Sequence, residues 1–207
     1  MSEDTSPETT SKRERTRQAI MDAAYSLMIE QGYAATSMRQ IAERSGGLAL
    51  GSIYNHFPSK NEVFSNIILE RHPIFHILPL LDSVESQTVE EFVRTAARLL
   101  VDELKRHPDF LNLLLIEVVE FKGAHAPLLI EKVVPLLAPL GEHITQLQGD
   151  VRPIPIKVVI RAFFGMFFSY YITGILANSV MPPEMQTNSL EYFLEIFLHG
   201  ILVEKGD

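Results

Sequence analysis

Apolar residues recur along this chain with helical spacing almost from end to end, and no stretch alternates as a strand would. Ile20, Ala23, Ala24, Leu27 and Met28 fall at i, i+3, i+4, i+7 and i+8, which marks an amphipathic helix ending at Gly32. Ser37 with Gln40 has the spacing of a capping box and opens a two-turn helix with Ile41 and Ala42 inward. Gly46-Gly47 then permits a sharp turn into a second short helix. That helix must stop at Phe57, because Pro58 disfavours helical geometry in the residue before it. Ile53 and Phe57, four apart, are expected to share one buried face. Ser59 opens the next helix, with Val63, Phe64, Ile67 and Ile68 inward, and His72-Pro73 kinks or ends it.

The helical pattern continues to the end of the chain. Val89, Phe92, Val93, Ala96, Ala97, Leu100 and Leu104 form one stripe, broken at His107-Pro108. Phe110 to Phe121 is apolar almost all round, and Leu128 to Leu147 is another helical stretch, interrupted or bent at Pro135 and Pro139. Two more helices follow, from about Ile156 to Ala177 and about Thr187 to Val203. The strongly apolar run Ala162 to Ala177 is 16 residues long. That is short of the roughly 20 a membrane-spanning helix needs, so a buried helix is predicted and no membrane partner. The last helix carries Leu190, Phe193, Leu194, Phe197 and Ile201 on a wide stripe. With the apolar helix before it, this is more surface than one small domain can cover. A four-helix interface between two copies would cover it.

Composition narrows the chemistry. The 207 residues include no cysteine, which excludes disulfides and thiolate metal sites and suits a cytoplasmic protein. The seven histidines show no ligand spacing, so no metal or cofactor is expected; no nucleophile motif or phosphate-cradling glycine loop supports an enzyme. Residues 1–11, acidic and rich in Ser and Thr, read as a disordered tail. The net charge of −8 argues at first against a nucleic-acid partner, yet residues 12–60 carry seven Lys/Arg against four acids, a net of +3. A positive module on an acidic body is what localised DNA contact requires.

The second short helix carries Ser52, Tyr54, Asn55 and His56, hydrogen-bonding groups of short or rigid reach, and Ser59-Lys60 opens the helix after it. Such groups suit phosphates and base edges. The order Gly32-Tyr33, Thr36-Ser37, Ile41-Ala42, Gly51-Ser52-Ile53-Tyr54-Asn55-His56-Phe57 and Ser59-Lys60 resembles the TetR/AcrR family of helix-turn-helix regulators over roughly residues 12 to 70. The segment Ser45 to Leu50 is one residue longer than the family's usual spacing, which reads as a lengthened turn. The resemblance implies an all-α chain of about nine helices: a three-helix DNA-binding domain over 12–72 and an effector-binding and dimerisation domain over 73–207, paired through its last two helices.

The expected function is that of a cytoplasmic, homodimeric one-component regulator, a repressor released from near-palindromic double-stranded DNA by a small, mainly apolar effector. Arg39, Leu50, Gly51 and Ser52 are the candidate base contacts, and Arg17, Thr36, Ser37, Tyr54, Asn55, His56 and Lys60 the candidate phosphate contacts. Phe110, Leu114, Glu117, Phe121, Phe164, Phe168 and Tyr171 are candidate effector-pocket residues, since aromatics adapt to apolar guests and a buried carboxylate needs a partner or a purpose. Glu117 and Glu120, one turn apart, could bind the polar or cationic end of a ligand, although at least one of them is expected at the surface or paired with an arginine such as Arg161. The competing reading is an all-helical apolar-ligand carrier or membrane-associated protein whose basic segment meets anionic lipid.

Overall fold

The computed structural model describes residues 12–149, 151–180 and 190–201; the expected tail, and the ends of the last helix at 187–189 and 202–203, lie outside them. Ten helices and no strand are found among the described residues. They are α1 (Lys12–Ala35), α2 (Met38–Arg44), α3 (Leu50–His56), α4 (Lys60–Arg71), α5 (Ile74–Asp82), α6 (Val89–Arg106), α7 (Phe110–Val119), α8 (Ala126–Gln146), α9 (Ile156–Val180) and α10 (Leu190–Ile201). The all-α architecture is the one the periodicity implies. The sequence passed over α5, which holds Pro79 in its middle.

The chain divides into two compact units, Met1–His72 with Pro108–Val133, and Pro73–His107 with Val134–Asp207. Residues 108–133, assigned from sequence to the second domain, therefore pack with the first unit. The reason is a shared core. Ile20, Met21, Ala24, Leu27 and Met28 of α1 meet Ile41 and Ala42 of α2, Ile53 of α3, Phe57, and Val63, Phe64, Ile67 and Ile68 of α4, and Leu113 of α7 is buried in the same cluster. Phe121 stacks on Phe64 at 4.8 Å and meets Tyr33 edge-on at 4.6 Å.

Local chemistry fixes the helix ends. Gly32 sits at φ 82°, which breaks α1 where the sequence places its end, although helical geometry resumes as far as Ala35. Ser37 and Gln40 form the reciprocal capping box, and Thr88 and Glu91 form another at the start of α6. In the second unit α10 packs on α6 and α9. Arg94 draws Glu90, Glu191 and Glu195 together, and Arg98 also reaches Glu191.

Two apolar expectations are corrected here. Leu190, Leu194, Phe197 and Ile201 are buried within their own subunit, and Phe193 is half-buried against Tyr170. A helical stripe reports that a face is covered without reporting by what. The uncovered side of α10 carries Tyr192 and Ile196, the latter 75% exposed. Conversely α9, read from sequence as buried, has Phe167 as its sole buried residue among those whose side chains are described. Its segment Ile156–Gly174 is long and apolar enough to cross a membrane by length and composition.

His72, the C-cap of α4, lies edge-on to Phe110 at 4.7 Å, and burial lowers its pKa to about 4. The folded state therefore prefers the neutral ring, and its contribution to stability is present above pH 6.5 and lost as pH falls toward 4. The loss amounts to roughly 3 kcal/mol by pH 4. Chemical denaturation between pH 7 and 4 should show it, and His72→Gln should flatten that pH dependence.

Candidate nucleic-acid interface

The helix-turn-helix is built from α2, the turn and α3. Gly46 and Gly47 both adopt positive φ, 92° and 72°. The amide of Gly47 donates to the Glu43 carbonyl at 3.1 Å, and that of Leu48 reaches back six residues to the Ala42 carbonyl at 3.0 Å. An ordinary Schellman closure spans five. The turn is thus closed by a loop one residue wider than that motif, and α3 begins at Leu50.

Ile53 and Phe57 are fully buried, so α3 turns its opposite face to solvent. Leu50, 41% exposed, and Tyr54, 48% exposed, stand there with Gly51 and Asn55; Ser52 and His56 lie at its margins, half-buried. Neither Tyr54 nor Asn55 has a side-chain bond among the described residues. Arg39, with a side chain 83% exposed, is loosely paired with Glu43 at 3.4 Å. An exposed pair of this kind contributes little and is easily exchanged for a stronger acceptor.

Three expected phosphate contacts are held elsewhere by the fold. Arg17 donates to Asn66 Oδ1 at 2.8 Å and to Glu70, and its guanidinium lies over the Phe57 ring at 5.5 Å. The bond to Glu70 raises its pKa and straps α1 to α4. Thr36 is only 2% exposed and donates its hydroxyl to the Gly32 carbonyl at 2.8 Å. Lys60 donates from Nζ to the carbonyls of Tyr33 and Thr36, both at 2.6 Å, and sits 4.0 Å from the centre of the Tyr33 ring. Desolvation lowers its pKa, partly offset by Glu120. Lys60, at the start of α4, ties that helix to the Tyr33 carbonyl, which also accepts the Thr36 amide at 3.1 Å, and to the Thr36 carbonyl between α1 and α2. Ser37 is exposed, but its hydroxyl is engaged with Gln40.

The cations that sequence reasoning passed over are Lys12, Arg13 and Arg15. They are exposed and have no ion pair among the described residues, whereas Arg17, Arg39, Arg44 and Arg71 are all paired. Their clustering at the start of α1 was the available signal.

The proposed effector residues divide between the units: Phe110, Leu114, Glu117 and Phe121 in the first, Phe164, Phe168 and Tyr171 in the second. Glu117 is buried but is not a ligand anchor. Its Oε1 accepts the His125 amide at 2.8 Å and its Oε2 lies 2.7 Å from His125 Nδ1, so neither an arginine nor a guest is needed. This pair closes the turn after α7, where Lys122 and Gly123 adopt positive φ of 54° and 80°. Glu120 is exposed, as are Phe164 and Phe168 on α9. Metal-binding clusters of His and acidic residues are absent among the described residues.

Residues 20–67 match the profile of the bacterial regulatory proteins of the tetR family. This stretch is a TetR-type helix-turn-helix DNA-binding domain. It is similar over 198 residues to the HTH-type transcriptional regulator SrpR of Pseudomonas putida, at 25% identity, covering 91% of this chain and 86% of that protein. Its fold is that of the fatty acid degradation regulator FadR from Bacillus halodurans, with a TM-score of 0.66 at 17% identity over 92% of this chain and 97% of the other. It is likewise that of NalD, the secondary repressor of the MexAB-OprM multidrug efflux pump in Pseudomonas aeruginosa, with a TM-score of 0.60 at 21% identity over 93% and 100%. With a TetR-type DNA-binding domain the protein is a DNA-binding transcriptional regulator, of a kind generally without enzymatic activity.

Lys60→Ala should act on stability before DNA binding. Removing the ammonium that bonds the Tyr33 and Thr36 carbonyls is expected to cost about 1–3 kcal/mol in urea unfolding, with the salt dependence of DNA affinity unchanged. A slope lowered by about one at unaltered stability would return Lys60 to the phosphate contacts.

Proposed function

We propose that the protein is a cytoplasmic homodimeric repressor that binds a near-palindromic operator and is released from it by a small, mainly apolar effector. The observation that carries the reading is the outer face of α3: a short helix pinned through Ile53 and Phe57, presenting Leu50, Gly51, Tyr54 and Asn55 outward with Arg39 beside it. A two-fold dimer offers two such helices to successive major grooves, so a two-fold DNA site is the matching partner. Arg39, Leu50, Gly51 and Ser52 read bases in this proposal, while Tyr54, Asn55 and His56 hold phosphates. Repression is supported by NalD, and the apolar character of the effector by the aromatic residues of α9 and by FadR's link to fatty acid degradation.

A gel shift against the protein's own upstream DNA, with anionic liposomes as control, separates this from the carrier or membrane reading. Specific retention of DNA without liposome binding is expected. Arg39→Ala should cost about 1–3 kcal/mol and relax preference at one position in each half-site. Equal loss on every sequence would remove Arg39 from the base-reading set.

The second copy is proposed to cover the outer face of α9 and α10, where Ile160, Phe164, Phe168, Tyr192 and Ile196 are exposed. Charge at this face should break the dimer without unfolding the subunit: Ile196→Glu should give a folded monomer by light scattering and circular dichroism. Leu194→Glu, at a position with no exposed surface, should unfold the subunit instead. An Ile196→Glu protein that remains dimeric would move the interface elsewhere.

Release requires that effector and DNA oppose each other. Linkage then makes operator weaken effector affinity by the same factor by which effector weakens operator affinity, typically about 5–150-fold. Equal effector affinities with and without operator, in calorimetric titrations of an identified ligand, would exclude effector-driven release.

A further inference from the structure

An open groove of about 380 Å³ lies in the first unit between the start of α1 and the helix-turn-helix turn, lined by Lys12, Arg15, Thr16, Ala19, Ser45 and Leu48. Its α1 wall consists of positions i, i+3, i+4 and i+7, a single helical face. The other wall is the lengthened turn, held in place by the wide closure from Leu48 to Ala42. The two hydroxyls are already donating, Thr16 to the Lys12 carbonyl at 2.9 Å and Ser45 to the Ile41 carbonyl at 2.6 Å. Lys12 and Arg15 therefore supply the free donors. No carboxylate lines the groove.

We infer that this groove seats a backbone phosphodiester of the duplex, with Lys12 and Arg15 as its ligands and the added turn residue as part of its wall. The inference rests on the DNA-binding reading above and relocates the phosphate anchor. Arg17 and Lys60, which a sequence would nominate, are committed to Glu70 and Asn66 and to two carbonyls. The groove borders the element that carries the reading helix, since Leu48 stands two residues before α3 begins. Phosphates flank the major groove into which a recognition helix docks, so an anchor on the turn fixes how deep and at what angle α3 enters.

The test is the salt dependence of affinity for the full-length protein, read by fluorescence anisotropy between 50 and 200 mM salt on an operator duplex and on a scrambled duplex. Each phosphate contact contributes about 0.9 to the slope of log affinity against log salt. Lys12→Ala with Arg15→Ala should lower the slope by about 1.8 per protomer on both duplexes, with the preference for operator retained. The wild type's advantage over this variant should then shrink roughly 12-fold per protomer across that salt range. Arg13→Ala removes an equal charge from the same helix outside the groove and should leave the slope unchanged. Helicity by circular dichroism should match the parent for all variants, as the substituted positions are exposed. A double variant with the parent's slope, or an Arg13→Ala slope lowered as far as that of Arg15→Ala alone, overturns the groove and leaves a diffuse basic surface. Failure of the regulator reading would look different: the parent would not prefer operator over scrambled duplex, while the slopes on scrambled DNA would still report on the groove.

Discussion

A seven-residue helix cannot hold its own shape in water, and the surface expected to read DNA is such a helix. It has no side-chain N-cap, because Ala49 precedes it, so its geometry is set from outside. Ile53 and Phe57 supply that constraint by inserting into the aliphatic and aromatic core formed by α1, α2, α4 and Leu113. Burying two side chains four residues apart fixes both the axis of α3 and its rotation. Every outward residue is placed as a consequence: Tyr54 and Asn55 face solvent because Ile53 and Phe57 do not.

Charge is distributed by the same logic. A domain net positive by sequence count would attract DNA with all its cations, but the fold binds several of them internally. Arg17 and Arg71 tie α1 to α4 through Glu70 and Asp22, and Lys60 is held by the carbonyls of Tyr33 and Thr36. What remains for a partner is Lys12, Arg13 and Arg15 on α1 and the loosely paired Arg39 on α2. Residue type alone does not separate these groups. The distinction is whether a carboxylate or an orphan carbonyl lies within reach.

The readable part of the fold was the punctuation. Ser37 with Gln40 and the His-Pro steps at 72 and 107 give helix ends by local chemistry, and they stand where the sequence puts them. The reading face of α3 followed from Ile53 and Phe57 for the same reason. What could not be read was identity of contact. Helix α5 escaped because Pro79 sits inside it, and the partner of Glu117 was not foreseen because His125, eight residues on, comes within reach only through the positive-φ turn at Lys122 and Gly123. The stripe on α10 was assigned to a partner, whereas Leu194 and Phe197 serve the subunit's own core and the partner-facing candidates are Tyr192 and Ile196. Periodicity measures a buried face and is silent about the neighbour.

The connections between the two units bear on how an effector could act. The chain passes from one unit to the other after His72, after His107 and after Val133, and a proline follows each passage immediately or within two residues: Pro73, Pro108 and Pro135. Proline fixes φ and restricts the residue before it, so these links have fewer soft torsions than ordinary loops. Between the second and third passages the chain is gripped by the first unit through Leu113, Phe121 and the Glu117–His125 pair. The segment is thus anchored by its own side chains in the core that positions α3. On the proposed function, a ligand acting on residues 108–133 would reach the reading helix through side chains packed within the first unit, with no need for a mobile loop.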